Sequence, residues 1–158
     1  VYKLVAVEQE GVVIPKIKVS NDSIKTTNPG YKKVYRFYDK KTGYALGDVV
    51  ALADEKIPEK DYTLVHSVDT WKQKKLSDYH LRELQVPIFL NGKLVYESQS
   101  LKEKQQYCQQ EFSSMYEEVT RITNPHEYYV DLSEKLRSLK EEMIRRETTK
   151  DLSLKRVK

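Results

Sequence analysis

Three histidines and one cysteine are the side chains of this sequence best suited to metal binding or covalent catalysis. His66, His80 and His126 are separated by 14 and 46 residues, and none has a second ligand at helical or turn spacing. Because Cys108 is the only cysteine, the chain cannot build a multi-thiolate zinc site or an internal disulfide. A cysteine nucleophile needs an adjacent base, and the sequence indicates none for Cys108, which falls on the apolar stripe of a predicted helix. We therefore expect surface or partly packed histidines, and a buried thiol that behaves as a small hydrophobe.

Phosphate binding is a second chemistry that the residue types allow. The five glycines are isolated turn residues, so they form no glycine-rich loop around a nucleotide phosphate. Residues 31–41 combine aromatic rings with cations, as proteins that bind single-stranded nucleic acid do. A small nucleic-acid-binding module without catalysis is therefore one hypothesis, with Tyr35, Arg36 and Phe37 as its test residues. Against it, the glycine–aromatic signature of an RNA-recognition strand is missing, and the 12 tyrosines are more typical of packing. Nucleic acid is thus the less favoured partner.

The charges are distributed unevenly along the 158 residues. Of 28 Lys and Arg and 24 Asp and Glu, nine cations and four anions lie in residues 1–45, which carry the basic character of the chain. This asymmetry is typical of a surface that faces phosphates, and equally of solvated strands rich in lysine. Hydrophobic residues make up 39%, and no apolar stretch approaches the roughly 18 residues of a membrane-spanning helix. We expect no membrane partner, and the single cysteine suits a reducing, cytoplasmic compartment.

Strands and hairpins must position these residues in the first two-thirds of the chain. Strands are predicted, in chain order, at residues 1–7 (buried), 12–19 (broken by Pro15), 33–39, 44–52 and 62–68. Residues 20–30 predict a long loop that ends in the turn Asn28-Pro29-Gly30. Residues 77–84 fit either a helical turn or a strand, whereas Asn91-Gly92 between two apolar runs predicts a type I′ hairpin over residues 86–96. Since chain termini rarely start inside a sheet, we expect further polypeptide ahead of Val1.

Two amphipathic, antiparallel helices are predicted for the C-terminal part. Ser100 and Glu103 fit a capping box at the start of the first helix. Its apolar stripe follows helical spacing and consists of Leu101, Cys108, Phe112, Met115, Val119 and Ile122. This helix should end before Asn124-Pro125, and the second should start near Asp131. The face of the second helix consists of Leu132, Leu136, Leu139 and Met143. Residues 145–158 carry six cations and two anions and are typical of a mobile tail.

Several sequence blocks, taken in order, resemble one enzyme family. The blocks are Val1-Tyr2-Lys3-Leu4-Val5, Lys16-Ile17-Lys18-Val19-Ser20, Lys25-Thr26-Thr27-Asn28-Pro29-Gly30-Tyr31-Lys32-Lys33-Val34-Tyr35-Arg36, Val86-Pro87-Ile88-Phe89 with Gly92-Lys93-Leu94, and Asn124-Pro125-His126 with Tyr129-Val130-Asp131-Leu132-Ser133. Together they are similar to the C-terminal part of nicotinate phosphoribosyltransferases over nearly the whole chain. The sequence departs from some relatives, which carry a zinc-knuckle-like element here, because a single cysteine cannot form one.

The resemblance implies an α+β fold, the C-terminal portion of an irregular α/β-barrel phosphoribosyltransferase with strands and hairpins followed by two amphipathic helices. The implied regions are a late barrel strand and extended segment (1–19), a loop and β-hairpin region (20–97), a helical pair (98–144) and a basic tail (145–158). It also implies an NAD-salvage enzyme that joins nicotinate to phosphoribosyl pyrophosphate. The products would be nicotinate mononucleotide and pyrophosphate, with magnesium, ATP hydrolysis and a homodimer as further family properties.

The catalytic residues implied by the family lie outside this chain. Its phosphorylated histidine and principal phosphoribosyl-binding residues are upstream of the matching region, so the three histidines here receive no catalytic role. Lys18 and Lys25 stand at positions that the family pattern shares, which makes them candidates for a phosphate contact. The segment itself is expected to be structural and inactive alone, closing the barrel and supporting the dimer. Its expected partner is the remainder of the enzyme upstream of Val1, which would also set the preference between nicotinate and nicotinamide.

Overall fold

The computed structural model describes residues 2–20, 22, 25–66 and 69–155, which form a mixed, strand-rich fold with three helices. The elements, in chain order, are β1 (Ala6–Gln9), β2 (Val12–Pro15), β3 (Lys32–Asp39), β4 (Ala45–Leu52), β5 (Lys60–Val65), β6 (Gln73–Glu83), β7 (Phe89–Leu90), β8 (Lys93–Leu94), α1 (Leu101–Ser113), α2 (Glu117–Thr120), β9 (Val130–Leu132) and α3 (Glu134–Lys155). Among the residues so described, no helix has the length and apolar character needed to cross a membrane.

The chain divides into two units. The terminal unit comprises Val1–Lys33, Val50–Lys56 and Leu132–Lys158, and the central unit comprises Val34–Val49 and Ile57–Asp131. Hairpins β1–β2 and β7–β8 are two-stranded sheets, and the remaining strands form one sheet in the order β5-β6-β3-β4-β9. The predicted hairpin of β3 and β4 is confirmed as two neighbouring strands. Its turn is held by the Asp39 carboxylate, which accepts backbone N–H bonds from Lys41 at 2.9 Å and from Thr42 at 2.7 Å.

The core of the central unit is a cluster of side chains from β3, β4, β5 and β6. Its fully or almost fully buried members are Phe37, Val49, Leu64, Leu76 and Tyr79. The Phe37 ring stacks on Tyr62 with 5.0 Å between centroids and meets Tyr79 edge-on at 4.8 Å. Burial of one such aromatic side chain stabilises the fold by about 1.5–3 kcal/mol. The Tyr79 hydroxyl donates to the carbonyl of Pro58 at 2.6 Å, so its polar end is satisfied as well.

Residues 77–84, which the sequence left open between helix and strand, lie mostly in strand β6. The strand pairs with β5 up to Asp78, opposite Lys60, and with β3 from Tyr79, opposite Asp39. The ambiguity came from Tyr79, Leu81 and Leu84. Tyr79 and Leu81 alternate as in a strand, whereas Leu81 and Leu84 are three apart, as in one helical turn, and Leu84 lies just beyond the end of β6.

The N-terminal segment differs from the prediction of a buried strand at residues 1–7. Strand β1 begins only at Ala6, Tyr2 and Leu4 are exposed, and Val1 lies outside the described residues. The predicted burial is therefore wrong for this segment. The physical reason is that β1 pairs with β2 in a two-stranded sheet, and such a hairpin has too few strands to cover its own apolar side chains.

The first predicted helix is shorter and less buried than its apolar stripe predicts. The capping box is confirmed, since the Ser100 backbone donates to Glu103 Oε2 at 2.7 Å and the Ser100 hydroxyl accepts from the Glu103 backbone. Helix α1 ends at Ser113, and the backbone is extended at Tyr116, so the predicted single helix is divided into α1 and the short helix α2. Helix α1 has no buried residue, so the predicted burial of Cys108 is wrong.

The second predicted helix begins at Glu134 rather than near Asp131. Asp131 and Leu132 belong to β9, and the Ser133 backbone donates to the carbonyl of Val50 at 2.9 Å. Ser133 then caps α3, its hydroxyl accepting from the backbone of Leu136 at 3.2 Å. Residues 145–155 continue α3 where a tail was expected, and residues 156–158 lie outside the described part. The antiparallel arrangement of the two helices stays a prediction.

Candidate functional site

Lys18 and Lys25, the two predicted phosphate contacts, lie on one loop of the terminal unit. The Lys18 backbone N–H donates to Thr27 Oγ1 at 2.9 Å, and the Thr27 N–H donates to the carbonyl of Lys18 at 3.1 Å. The Ser20 N–H donates to Thr26 Oγ1 at 3.2 Å. These bonds join the segment that carries Lys18 to the one that carries Lys25. The structure therefore brings the two lysine-bearing segments together, and both residues are exposed on them.

Among the described residues, the side chain of Lys25 forms an exposed ion pair with Asp22. Its ammonium lies 3.2 Å from Asp22 Oδ2, and both side chains are open to water. An exposed ion pair of this kind contributes about 0–1 kcal/mol. A phosphate group could therefore take the place of the Asp22 carboxylate at little cost in stability.

Two further lysines hold the turn that follows Lys25. The Lys32 ammonium donates to the carbonyls of Asn28 at 2.9 Å and Gly30 at 2.5 Å, and the Lys140 ammonium donates to Asn28 Oδ1 at 2.8 Å. Burial lowers the pKa of both Lys32 and Lys140. The sequence could not indicate the Lys140 contact, because the two residues are 112 positions apart. The turn is thus tied to helix α3, and its shape does not rest on local turn chemistry alone.

Gly30 is required where the chain leaves this turn. Its φ is +87°, and a Cβ atom there would lie 2.7 Å from Leu52 Cδ2. The next residue is fixed as well, since the carbonyl of Tyr31 accepts from the Ala53 N–H at 3.0 Å. A side chain at position 30 would displace the turn that carries the Asn28 contacts.

Arg36, from the basic segment that the nucleic-acid hypothesis used, is held in an ion-pair network of the central unit. Arg36 binds Asp48 through two bonds of 2.8 and 2.9 Å and lies 3.2 Å from Glu111. Arg82 also binds Glu111, at 2.9 Å through its Nη1 atom, and the Tyr128 hydroxyl donates to Asp48 at 2.8 Å. The bond to Asp48 raises the pKa of Arg36, and burial raises the pKa of Tyr128. Two guanidinium groups thus face two carboxylates, and the network has a structural role.

The aromatic residues of the same segment are equally engaged. Phe37 is fully buried in the core, and Tyr35 packs against that core. Stacking on nucleic-acid bases needs exposed rings. Tyr35 and Phe37 therefore offer no exposed ring on which a base could stack. The hypothesis of a nucleic-acid-binding module is not supported.

The three histidines do not form a common site. His66 and His126 line a cleft of about 590 Å³ in the central unit together with Lys72 and Glu127, whereas His80 is exposed on β6. His66 Nε2 is 3.8 Å from Glu127 Oε1, a distance at which no good hydrogen bond forms. Within residues 2–20, 22, 25–66 and 69–155, no group of three or more His, Cys, Asp or Glu side chains could hold a metal ion.

Comparison with known proteins gives consistent matches. Residues 31–140 match the family described as "Nicotinate phosphoribosyltransferase C-terminal domain". The nicotinate phosphoribosyltransferase of Bacillus subtilis is 40% identical over 135 residues, which are 85% of this chain and 28% of that protein. The Caenorhabditis elegans enzyme is 32% identical over 139 residues, which are 86% of this chain and 24% of that protein. This chain therefore spans about a quarter of the length of the curated relatives that it matches.

A solved structure agrees with these relatives. The crystal structure of human Nicotinic Acid Phosphoribosyltransferase superposes with a TM-score of 0.67 at 26% identity, covering 75% of this chain and 24% of that chain. The resemblance drawn from the sequence blocks is confirmed by these matches. The chain belongs to the nicotinate phosphoribosyltransferase C-terminal domain family.

Proposed function

We propose that this domain serves an enzyme that joins nicotinate to the ribose of phosphoribosyl pyrophosphate, forming nicotinate mononucleotide and releasing pyrophosphate. The observation that carries the proposal is the family match over residues 31–140 together with 40% identity to a nicotinate phosphoribosyltransferase. The proposed enzyme couples the transfer to ATP hydrolysis, acts as a homodimer and works in the cytoplasm. The groups that perform the transfer lie in the part of the enzyme that the relatives carry beyond the matched quarter.

The proposed task of this chain at the active site is to hold phosphate groups. Both phosphoribosyl pyrophosphate and the released pyrophosphate carry several negative charges, and positioned ammonium groups stabilise them. Lys18 and Lys25 are exposed on joined segments, and the turn next to them is held by Lys32 and Lys140. The segments therefore have a defined geometry before a ligand arrives, which lowers the entropic cost of binding it.

Magnesium, which the family resemblance implies, is bound in proteins by carboxylates, water and substrate phosphates. Asp22 is the one carboxylate between Lys18 and Lys25, and it lies 3.2 Å from the Lys25 ammonium. No group of three or more His, Cys, Asp or Glu side chains in the described part of the chain could hold the ion. We therefore derive no step through the metal.

The first experiment assays the complete gene product with nicotinate, phosphoribosyl pyrophosphate, ATP and magnesium, next to the 158-residue chain alone. We expect the complete product to form nicotinate mononucleotide and the isolated chain to form none. Turnover by the isolated chain would contradict the assignment of the catalytic groups to the rest of the enzyme. Absence of turnover by the complete product would contradict the proposed reaction itself.

The second experiment tests the two lysines in the complete gene product. Loss of one charge-assisted hydrogen bond to a phosphate costs about 1.5–3 kcal/mol, so Lys18→Gln and Lys25→Gln should each reduce kcat/KM for phosphoribosyl pyrophosphate about 10–100-fold. Lys56→Gln is the matched control, since Lys56 is an exposed lysine elsewhere in the terminal unit. Equal kinetic constants for all three variants would remove Lys18 and Lys25 from the site.

A further inference from the structure

Among the described residues, large hydrophobic side chains are exposed more often than they are buried. Twenty are exposed, against seven in the buried core once its two alanines are set aside. More than half of the exposed ones fall within residues 86–122 of the central unit, the segment that we call the apolar arm. Exposed apolar surface concentrated in one segment marks an interaction site in a folded protein.

The first half of the apolar arm is the hairpin of β7 and β8. Its turn has the positive φ angles of a type I′ turn, 50° at Asn91 and 75° at Gly92, as the sequence predicted. Phe89 and Leu94 are paired across the hairpin, and each is 64% exposed. Two strands of two residues have no second layer to cover them, and such a hairpin is at best marginally stable in water. It needs a surface to pack against.

The second half of the apolar arm is helix α1 with its apolar stripe. Leu101, Cys108 and Phe112 follow one another at spacings of seven and four, and all three are exposed. The helix is anchored at its C-terminal end, where Glu111 binds Arg82 and the carbonyl of Ser114 accepts from the backbone of Ala45 at 2.7 Å. The helix is therefore held in place although none of its residues is buried.

We propose that the apolar arm docks on an apolar face of the catalytic part of the same polypeptide, the part that the relatives carry beyond this domain. This inference rests on the proposed function. The matched region is 28% of the Bacillus subtilis relative and 24% of the human structure, so about three-quarters of each chain is available as the occupant. Between residues 86 and 96 the only charged side chain is Lys93. The hairpin half of the apolar arm is therefore poor in charge, as the core of a permanent interface is.

Cys108 reports on the docking because it lies within the stripe and is the only cysteine of the chain. The experiment measures the rate of Cys108 alkylation by peptide mass spectrometry in the 158-residue chain and in the complete gene product. We expect alkylation to be slower by about tenfold or more in the complete product, since reaction then requires local opening. The control is Cys108→Ser/Gln106→Cys, which moves the thiol to the polar face of α1 and should react at similar rates in both.

Each outcome decides the proposal. Equal rates for Cys108 in the two proteins would overturn it, and so would equal slowing at position 106, because the protection would not belong to the stripe. Protection in the isolated chain that disappears on dilution, with a dimer seen by light scattering, would identify a second copy as the occupant instead. The same complete product is assayed for formation of nicotinate mononucleotide. If it is inactive while Cys108 is protected, the proposed function is contradicted and the docking proposal is still supported.

Discussion

The ion pair of Arg36 and Asp48 gives the sharpest stability prediction. Asp48→Asn preserves the shape of the side chain and removes its charge. Asp48 Oδ1 accepts from Arg36 Nε at 2.8 Å and from Tyr128 at 2.8 Å, while Oδ2 accepts from Arg36 Nη2 at 2.9 Å. An asparagine NH₂ placed at either oxygen position would face a guanidinium N–H, donor against donor. Arg36 would then remain buried without its best partner.

The expected cost follows from burial and from the partner that remains. The Arg36 and Asp48 side chains are 14% and 7% exposed, and breaking a buried pair costs about 3–5 kcal/mol. Glu111, at 3.2 Å from Arg36, still supplies an opposite charge, so the expected cost lies at the lower end of that range or just below it. We expect a loss of about 2–3 kcal/mol, which is a shift of about 1–2 M in the urea midpoint.

The assay is urea unfolding of the 158-residue chain, followed by far-ultraviolet circular dichroism. Asp78→Asn is the matched control in the same unit, because its ion pair with Lys40 has a similar length of 3.0 Å but side chains that are 57% and 45% exposed. That variant should lose less than about 0.5 kcal/mol. If Asp48→Asn were as stable as Asp78→Asn, burial of the Arg36 pair would not govern its contribution.

Two further predictions concern packing and pH. The φ angles of +156° at Gly47 and +74° at Gly43 strain an alanine at either position, but Gly47→Ala should cost about 1–3 kcal/mol more than Gly43→Ala. A Cβ at Gly47 would lie 2.6 Å from Leu64 Cδ1, whereas nothing lies within 4 Å at Gly43. Equal urea midpoints for these variants would contradict the close approach. Burial lowers the pKa of Lys140 in the folded state, so below the ordinary lysine pKa of about 10.4 the unfolded chain binds more protons and stability rises with pH. We therefore expect the melting temperature of Lys140→Met to rise less between about pH 8 and 10 than that of the unmodified chain. An equal rise in the two proteins would contradict a lowered pKa of Lys140.

Local signals in the sequence predicted the local structure well. The Asn91-Gly92 turn and the cap formed by Ser100 and Glu103 both appear as predicted. Each depends on residues at most three positions apart, so the residue types within one short segment are enough to determine its backbone conformation. The same reasoning failed for the stripe of α1, since periodicity reports that a face is apolar and does not report whether this chain covers it.

The candidate site was predictable only in part. Lys18 and Lys25 were chosen because their sequence blocks resemble a family, and their role as phosphate contacts stays a prediction. Lys32 and Lys140 were missed because lysines are ordinarily solvated, and nothing in the sequence links Lys140 to Asn28. An inventory of side chains cannot reveal which ammonium groups the fold will bury.

The sequence by itself determined the family, the turns and caps, and the absence of a multi-cysteine metal site, because these follow from residue types and from spacings of a few positions. Tertiary structure alone decided that β6 pairs with two strands, that Arg36 meets Glu111 across 75 positions and that Lys140 reaches Asn28 across 112. Such contacts depend on which faces the sheet brings together, and the free energy of each depends on how far water is excluded from it.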